Sequence, residues 1–231
     1  RVLFRSDTCR ALAGNLDKYI IDNTVVAVSW GNTLNCLAGQ IQPLKAKDIK
    51  VVQLNGGVAK SASSTGASQI VDALTMAGHG IGYMFPVPAI VDSKHTSEIL
   101  QEETQVKNVL RLAKEAEVSI FSIGALSKDS ILYEVEYLKD EDFQALEKNK
   151  AVGDIASRYF DINGNIALKE LDDRVVGFGL EELREKEWTI AIAVGVNKVD
   201  AIIGALRAGF MNVLYTDEKT AREILNRNLL G

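Results

Sequence analysis

Apolar residues along this chain fall into two rhythms that alternate. Short β-branched runs occupy 24–30 (TVVAVSW), 49–54 (IKVVQL), 81–88 (IGYMFPVP), 118–124 (VSIFSIG), 188–195 (WTIAIAVG) and 212–217 (NVLYTD). Several are apolar at successive positions, the pattern of strands covered on both faces of a parallel sheet. Between them, apolar residues spaced by three and four predict helices over 33–42, 66–78, 97–116, 198–208 and 218–228. Near the start, Leu12, Leu16, Tyr19 and Ile20 mark one apolar helical face. Strand and helix in this alternation predict an α/β fold, Rossmann-like and doubly wound about a mostly parallel sheet.

Residues 125–187 interrupt the rhythm. LKDEDFQALEKNKA predicts a charged surface helix from Asp140, and SRYFDINGNIAL a β-hairpin turning at Asn163-Gly164. DDRVVGFGLEELREK predicts a short strand, a Gly turn and a helix, with Asp172 and Asp173 in a solvated turn before Arg174. A hairpin within a parallel α/β chain is expected as a small subdomain beside the main sheet. With no internal repeat, low-complexity tract or Pro-rich linker, one domain spanning 1–231 is expected, with the excursion inside it.

Composition narrows the function. The 231 residues suffice for a substantial core, and 47% hydrophobic with 25% charged residues matches an ordinary globular protein. No apolar run approaches the ~20 residues of a membrane span, and no signal-type segment precedes the first helix, so the cytoplasm is expected. A net charge of −5 without a basic stripe argues against nucleic-acid binding through this chain's own surface. Cys9 and Cys36 lie in helical patterns without a CxxC partner and are expected as reduced structural thiols. His79, in a Gly-rich helix exit, and His95, in a polar loop, have no companions at metal-ligand spacing; no metal or cofactor is expected. The chain enters its first helix without a Met, from which an upstream segment is expected.

In open α/β sheets, ligands bind beyond the carboxyl ends of the strands. Four polar loops lie there: Ser29-Trp30-Gly31-Asn32-Thr33, Asn55-Gly56-Gly57, Ile123-Gly124-Ala125 and Gly195-Val196-Asn197-Lys198. The first and last each precede a helix, where backbone N–H groups and the helix dipole favour an anion. Lys198 at a helix start opposes that dipole unless an anion sits beside it. One Gly turn alone is a tight corner, and neither G-x-G-x-x-G nor the P-loop pattern occurs. Together, the loops and Lys198 point to a small anion-bearing ligand. Asp154, in AVGDIASRYF, has two roles open to it: capping a turn, or accepting hydrogen bonds from sugar hydroxyls.

The segments VSWGNTL, VVQLNGG, SIFSIG, AVGDIASRYFDINGN and AVGVNKVDAIIGALRAGFMNVLYTDEKTA resemble, in order, the effector-binding domain of SorC-type bacterial transcriptional regulators. The resemblance runs from about residue 10 to the end. It implies a sensor related in fold to ribose-5-phosphate isomerase and glucosamine-6-phosphate deaminase, binding a phosphorylated sugar. By that resemblance Gly31, Asn32, Thr33 and Lys198 hold the phosphate and Asp154 faces the sugar. Ser29, Asn55, Gly56, Gly57, Gly124 and Asn197 complete the expected effector site. It further implies an upstream helix-turn-helix domain that contacts operator DNA, and a homodimer or homotetramer. One position departs from the pattern: the deoxyribonucleoside branch is expected to carry a Lys where Asn55 stands, and Asn55 cannot form a Schiff base. The alternative on the same fold is a sugar-phosphate isomerase or deaminase. The D-G-A-D-E-type cluster and D-G-H-type histidine of those enzymes are absent, so a sensor without catalysis is expected. A third reading, an interaction module without a ligand, leaves the polar strand-end loops unexplained.

Overall fold

The computed structural model describes residues 2–58 and 67–229. The chain opens with α1 (Val2–Ala13), then β1 (Val25–Val28), α2 (Asn32–Ala38), β2 (Lys50–Gln53), α3 (Ala67–Ala77) and β3 (Ile81–Tyr83). There follow α4 (Lys94–Glu102), α5 (Thr104–Glu115) and β4 (Val118–Ser122). The excursion contains β5 (Gly124–Ala125), α6 (Ile131–Glu134), α7 (Asp140–Lys148), β6 (Ala151–Ile155), β7 (Arg158–Asp161) and α8 (Lys169–Asp172). The main rhythm resumes with β8 (Trp188–Ile192), α9 (Val199–Arg207), β9 (Val213–Tyr215) and α10 (Glu218–Leu229).

Six strands form one parallel sheet in the order β3-β2-β1-β4-β8-β9, so the winding reverses between β1 and β4. The continuous apolar runs are explained by the pleat. Ala27, Val52, Phe121 and Ala191 point into the core under α5 and α9. Their neighbours Val26, Val51, Ile120 and Ile190 point into the opposite core, under α1, α2 and α3. Successive side chains face opposite ways, and both faces are covered. The excursion forms a three-stranded antiparallel sheet, β5-β6-β7, over a third cluster that includes Leu132, Phe143, Leu146 and Tyr159. No helix among the described residues is long and apolar enough to cross a membrane.

Several elements differ from their sequence patterns. The helix expected over 97–116 is two helices: Ser93 caps α4 by accepting from the Thr96 N–H, and Glu103, in an extended conformation, separates α4 from α5. His95 is therefore helical and not in a loop. The strand at 81–88 stops at Tyr83, shortly before Pro86 and Pro88, which cannot donate to a ladder. The helix at 33–42 ends at Ala38, and residue 66 of the one expected over 66–78 lies outside the described residues. The strand expected in DDRVVGFG is reduced to single bridges, Ile90 to Val175 and Asn55 to Gly177, and Leu180–Glu185 is a 3-10 helix.

The Asn163-Gly164 turn exists, but its second arm is one bridge, Phe160 to Ile166. The extended hairpin is β6–β7, which turns one motif earlier, at Ala156-Ser157. Asp172 is no solvated turn residue. Arg158, 9% exposed, places Nη1 2.6 Å from its carboxylate and donates to the carbonyls of Gly177 and Phe178 at 3.1 and 2.8 Å. A buried guanidinium requires such partners, and Asp172 supplies the charge. Asp173 pairs with Lys94 and Lys169.

Candidate functional site

A cavity of about 250 Å³ opens at the carboxyl ends of β1 and β4, where the strand order reverses. Nine of the eleven residues expected from the sequence line it. The loop after β1 contributes Ser29, Gly31, Asn32 and Thr33, and the end of β2 contributes Asn55. Gly124 comes from β5, Asp154 from β6, and Asn197 and Lys198 from the turn into α9. Gly31, at φ 126°, adopts a conformation that side chains disfavour, and it redirects the chain from β1 into α2. The Ser122 N–H donates to Ser29 Oγ at 3.4 Å, tying the two strand ends that flank the opening. α2 has only seven residues, so its dipole is a smaller part of the site than the sequence pattern suggested.

Gly56 and Gly57 do not reach the cavity. Gly56 donates to the Val176 carbonyl at 3.1 Å and accepts from Trp30 Nε1 at 2.8 Å. Gly57 exchanges hydrogen bonds with Val87 and Ala89. Both fasten the Asn55 loop to neighbouring backbone.

The floor of the site is a polar relay set by the β6–β7 turn. Ala156 and Ser157 have φ of 51° and 71°, the left-handed pair of a two-residue hairpin turn, here without Gly or Asn. The turn aims the Ser157 N–H at Asp154 Oδ2, 3.2 Å away, and its hydroxyl accepts from Asn55 Nδ2 at 3.1 Å. Asn55 is 1% exposed, and its Oδ1 has no hydrogen-bond partner among the described residues. Asp154 lies directly over Gly124, where a Cβ would come within 2.0 Å of Oδ1. Asp154 therefore braces the turn with one oxygen and lines the cavity as well.

Charge is concentrated beside Asp154. Lys198 Nζ donates to the Ile123 carbonyl at 2.5 Å. Burial pushes its ammonium down to about 8, against the pull of Asp154, and the positive charge of Arg5 lowers it further. Burial pushes Asp154 up to about 6, opposed by the Ser157 N–H and by Lys198. Near neutral pH one is an anion and the other a cation.

Arg5 also lines the cavity, although the sequence reading passed over it. Its signal was its spacing: residues 5, 9, 12 and 16 continue one helical stripe, and Cys9, Leu12 and Leu16 on that stripe are fully buried. An Arg at the end of an apolar stripe needs a reason to be there. Ser122, Ser127, Ser130 and Ser157 add hydroxyls; Ser122 and Ser157 lie within SIFSIG and AVGDIASRYF but were not among the expected site residues. The Cys9 thiol donates to the Thr33 carbonyl at 3.5 Å, and burial and the neighbouring Cys36 push it up to about 12. Both cysteines are free, and Cys9 is a packing group. Two cations, a carboxylate, an open amide oxygen and several hydroxyls suit a small hydroxylated anion.

Residues 2–226 match the family model "Putative sugar-binding domain". The deoxyribonucleoside regulator of Bacillus subtilis is 33% identical over 220 residues, 95% of this chain and 70% of that protein. A transcriptional regulator from Streptococcus pneumoniae TIGR4 superposes with a TM-score of 0.91 at 25% identity, over 98% of this chain and 87% of that one. The full-length sorbitol operon regulator SorC from Klebsiella pneumoniae shares the fold, with a TM-score of 0.88 at 21% identity, over 96% of this chain and 72% of that one. The chain belongs to the sugar-binding domain family of SorC-type bacterial transcriptional regulators.

Proposed function

We propose that this domain senses a phosphorylated sugar, of the size of deoxyribose 5-phosphate, and that the 250 Å³ cavity is its effector site. The observation that carries the reading is the approach of two cations, Lys198 and Arg5, to a cavity that the Asp154–Ser157–Asn55 relay also lines. Cations suit a phosphate, and carboxylate, amide and hydroxyls suit sugar hydroxyls. The volume lies just below the roughly 300–1,000 Å³ of sites for drug-sized ligands, which favours a small metabolite over a dinucleotide. In this reading Gly31, Asn32, Thr33 and Lys198 grip the phosphate, with Arg5 beside them. Operator DNA is contacted by a helix-turn-helix domain upstream, in a homodimer or homotetramer whose symmetry suits a palindromic site.

Thermal unfolding tests this directly. A sugar phosphate at ~100 times its dissociation constant adds ~2.7 kcal/mol of stability. Lys198→Ala and Thr33→Val are expected to lose that gain while keeping the unliganded fold. Unchanged affinity in both variants contradicts the phosphate assignment.

One observation favours a second reading, an isomerase or deaminase. A carboxylate near 6 beside a lysine is suited to moving a proton. Incubation with ribose 5-phosphate and glucosamine 6-phosphate separates the two: the sensor leaves both unchanged, and turnover of either establishes the enzyme.

A further inference from the structure

Asn55 is buried at the cavity wall with half of its hydrogen bonding unmade. A buried carboxamide that lacks a partner loses the full cost of leaving water, so such groups in native folds call for an explanation. The group cannot swing away to satisfy itself. Its Nδ2 is anchored on Ser157 Oγ, and its backbone carbonyl accepts from Gln53 Nε2 at 2.8 Å. Ser157 is itself fixed, because its N–H is spent on Asp154. If the carboxamide is turned over, an N–H is left open in place of the oxygen. A ligand hydroxyl satisfies either form, since it both donates and accepts; a C–H satisfies neither.

The topology says which part of a ligand meets it. Asn55 follows β2 and Lys198 follows β8, and β1 and β4 lie between those strands. Three inter-strand spacings of about 4.8 Å separate the two strand ends by roughly 14 Å. A phosphate at Lys198 therefore directs the opposite end of the sugar toward Asn55. In a 5- or 6-phosphate that end is C1 and C2.

We infer that Asn55 is a specificity-determining residue: it receives a hydroxyl from C1 or C2 of the effector, and the site thereby selects a fully hydroxylated sugar phosphate over its deoxy counterpart. The inference rests on the phosphosugar reading above and narrows it away from 2-deoxy sugars. The side chain contributes no covalent bond, because its nitrogen lone pair is delocalised into the amide and does not add to an aldehyde.

The test is calorimetric binding of ribose 5-phosphate and glucose 6-phosphate, each beside its 1-deoxy and 2-deoxy forms, with inorganic phosphate as a further probe. In the wild-type protein, a 1-deoxy or 2-deoxy form of the sugar that binds is expected to be weaker by at least ~10-fold, and by up to several hundred-fold. Asn55→Ala is expected to erase that gap by weakening the hydroxylated sugar, leaving the deoxy form and inorganic phosphate as they were. Equal affinity of hydroxylated and both deoxy forms in the wild-type protein overturns the inference, and needs no variant to fold. A gap that persists in folded Asn55→Ala overturns it too. In both of those results the phosphosugar reading stands. If no sugar phosphate binds, that reading falls and takes the inference with it.

Discussion

Asp154 and Lys198 carry their charges at a cost, and the cost depends on pH. The folded chain holds the Asp154 proton up to about 6, against an ordinary 3.8, so the contribution of this group is greatest below pH 4 and declines as pH rises through 6. Lys198 has the opposite shift, from 10.5 down to about 8. The unfolded chain binds the extra proton between those values, and stability recovers as pH climbs from 8 toward 10.5. From these two groups the unliganded domain is least stable between pH 6 and 8, where both are charged. Asp154→Asn is therefore expected to flatten the decline between pH 4 and 6. It should also raise unliganded stability at pH 7 by on the order of 2 kcal/mol, read from urea midpoints across pH. Lys198→Met should remove the recovery above pH 8. A phosphate bound at Lys198 favours the ammonium, so binding above pH 8 is expected to take up a proton, measurable by calorimetry in buffers of different ionisation heat.

The β6–β7 hairpin joins the two parts of the molecule, since its turn residues floor the cavity while its strands cover the third core. A left-handed Ala costs roughly 1–2 kcal/mol, strain of the kind that persists where surrounding contacts fix a functional turn. Ala156→Gly is expected to gain about 1 kcal/mol of thermal stability and to weaken ligand binding, as the turn loses its fixed aim. Arg158→Ala leaves the half-buried Asp172 carboxylate and the Gly177 and Phe178 carbonyls without this donor, and should cost about 2 kcal/mol in denaturant unfolding. Neither feature was legible beforehand. Ala-Ser carries no turn signal, whereas Asn163-Gly164 carries a strong one and closes only a single bridge. Strands 1, 2, 4 and 8 were legible because residues facing both ways are apolar, which only a doubly covered sheet explains. The loops at their ends were legible because they combine Gly with polar residues at the place where such folds bind ligands. The 122–130 serines were not, and Arg5 was legible only as the polar end of an apolar stripe, because their proximity to Lys198 comes from packing across the chain and not from spacing along it.

At the scale of the whole molecule, the cavity draws on most of the chain: α1, the ends of β1, β2 and β4, the excursion, and the turn into α9. α1 reaches the site through Arg5 and contacts its rim through the Cys9–Thr33 hydrogen bond. Arg5 thus links an anion held at Lys198 to the first helix. Arg5→Ala is expected to weaken sugar-phosphate binding by about 10-fold, with a smaller dependence on salt than the wild type shows, as removal of one screened cation requires. The central claim, that Lys198 and its surroundings grip a phosphate, is tested most directly by thermal unfolding with ribose 5-phosphate and glucose 6-phosphate beside unphosphorylated ribose and glucose, in the wild type and in Lys198→Ala. Stabilisation by a phosphorylated sugar, absent with its parent sugar and lost in Lys198→Ala, is the predicted result; equal stabilisation by parent and phosphosugar, or a shift that survives in Lys198→Ala, contradicts it.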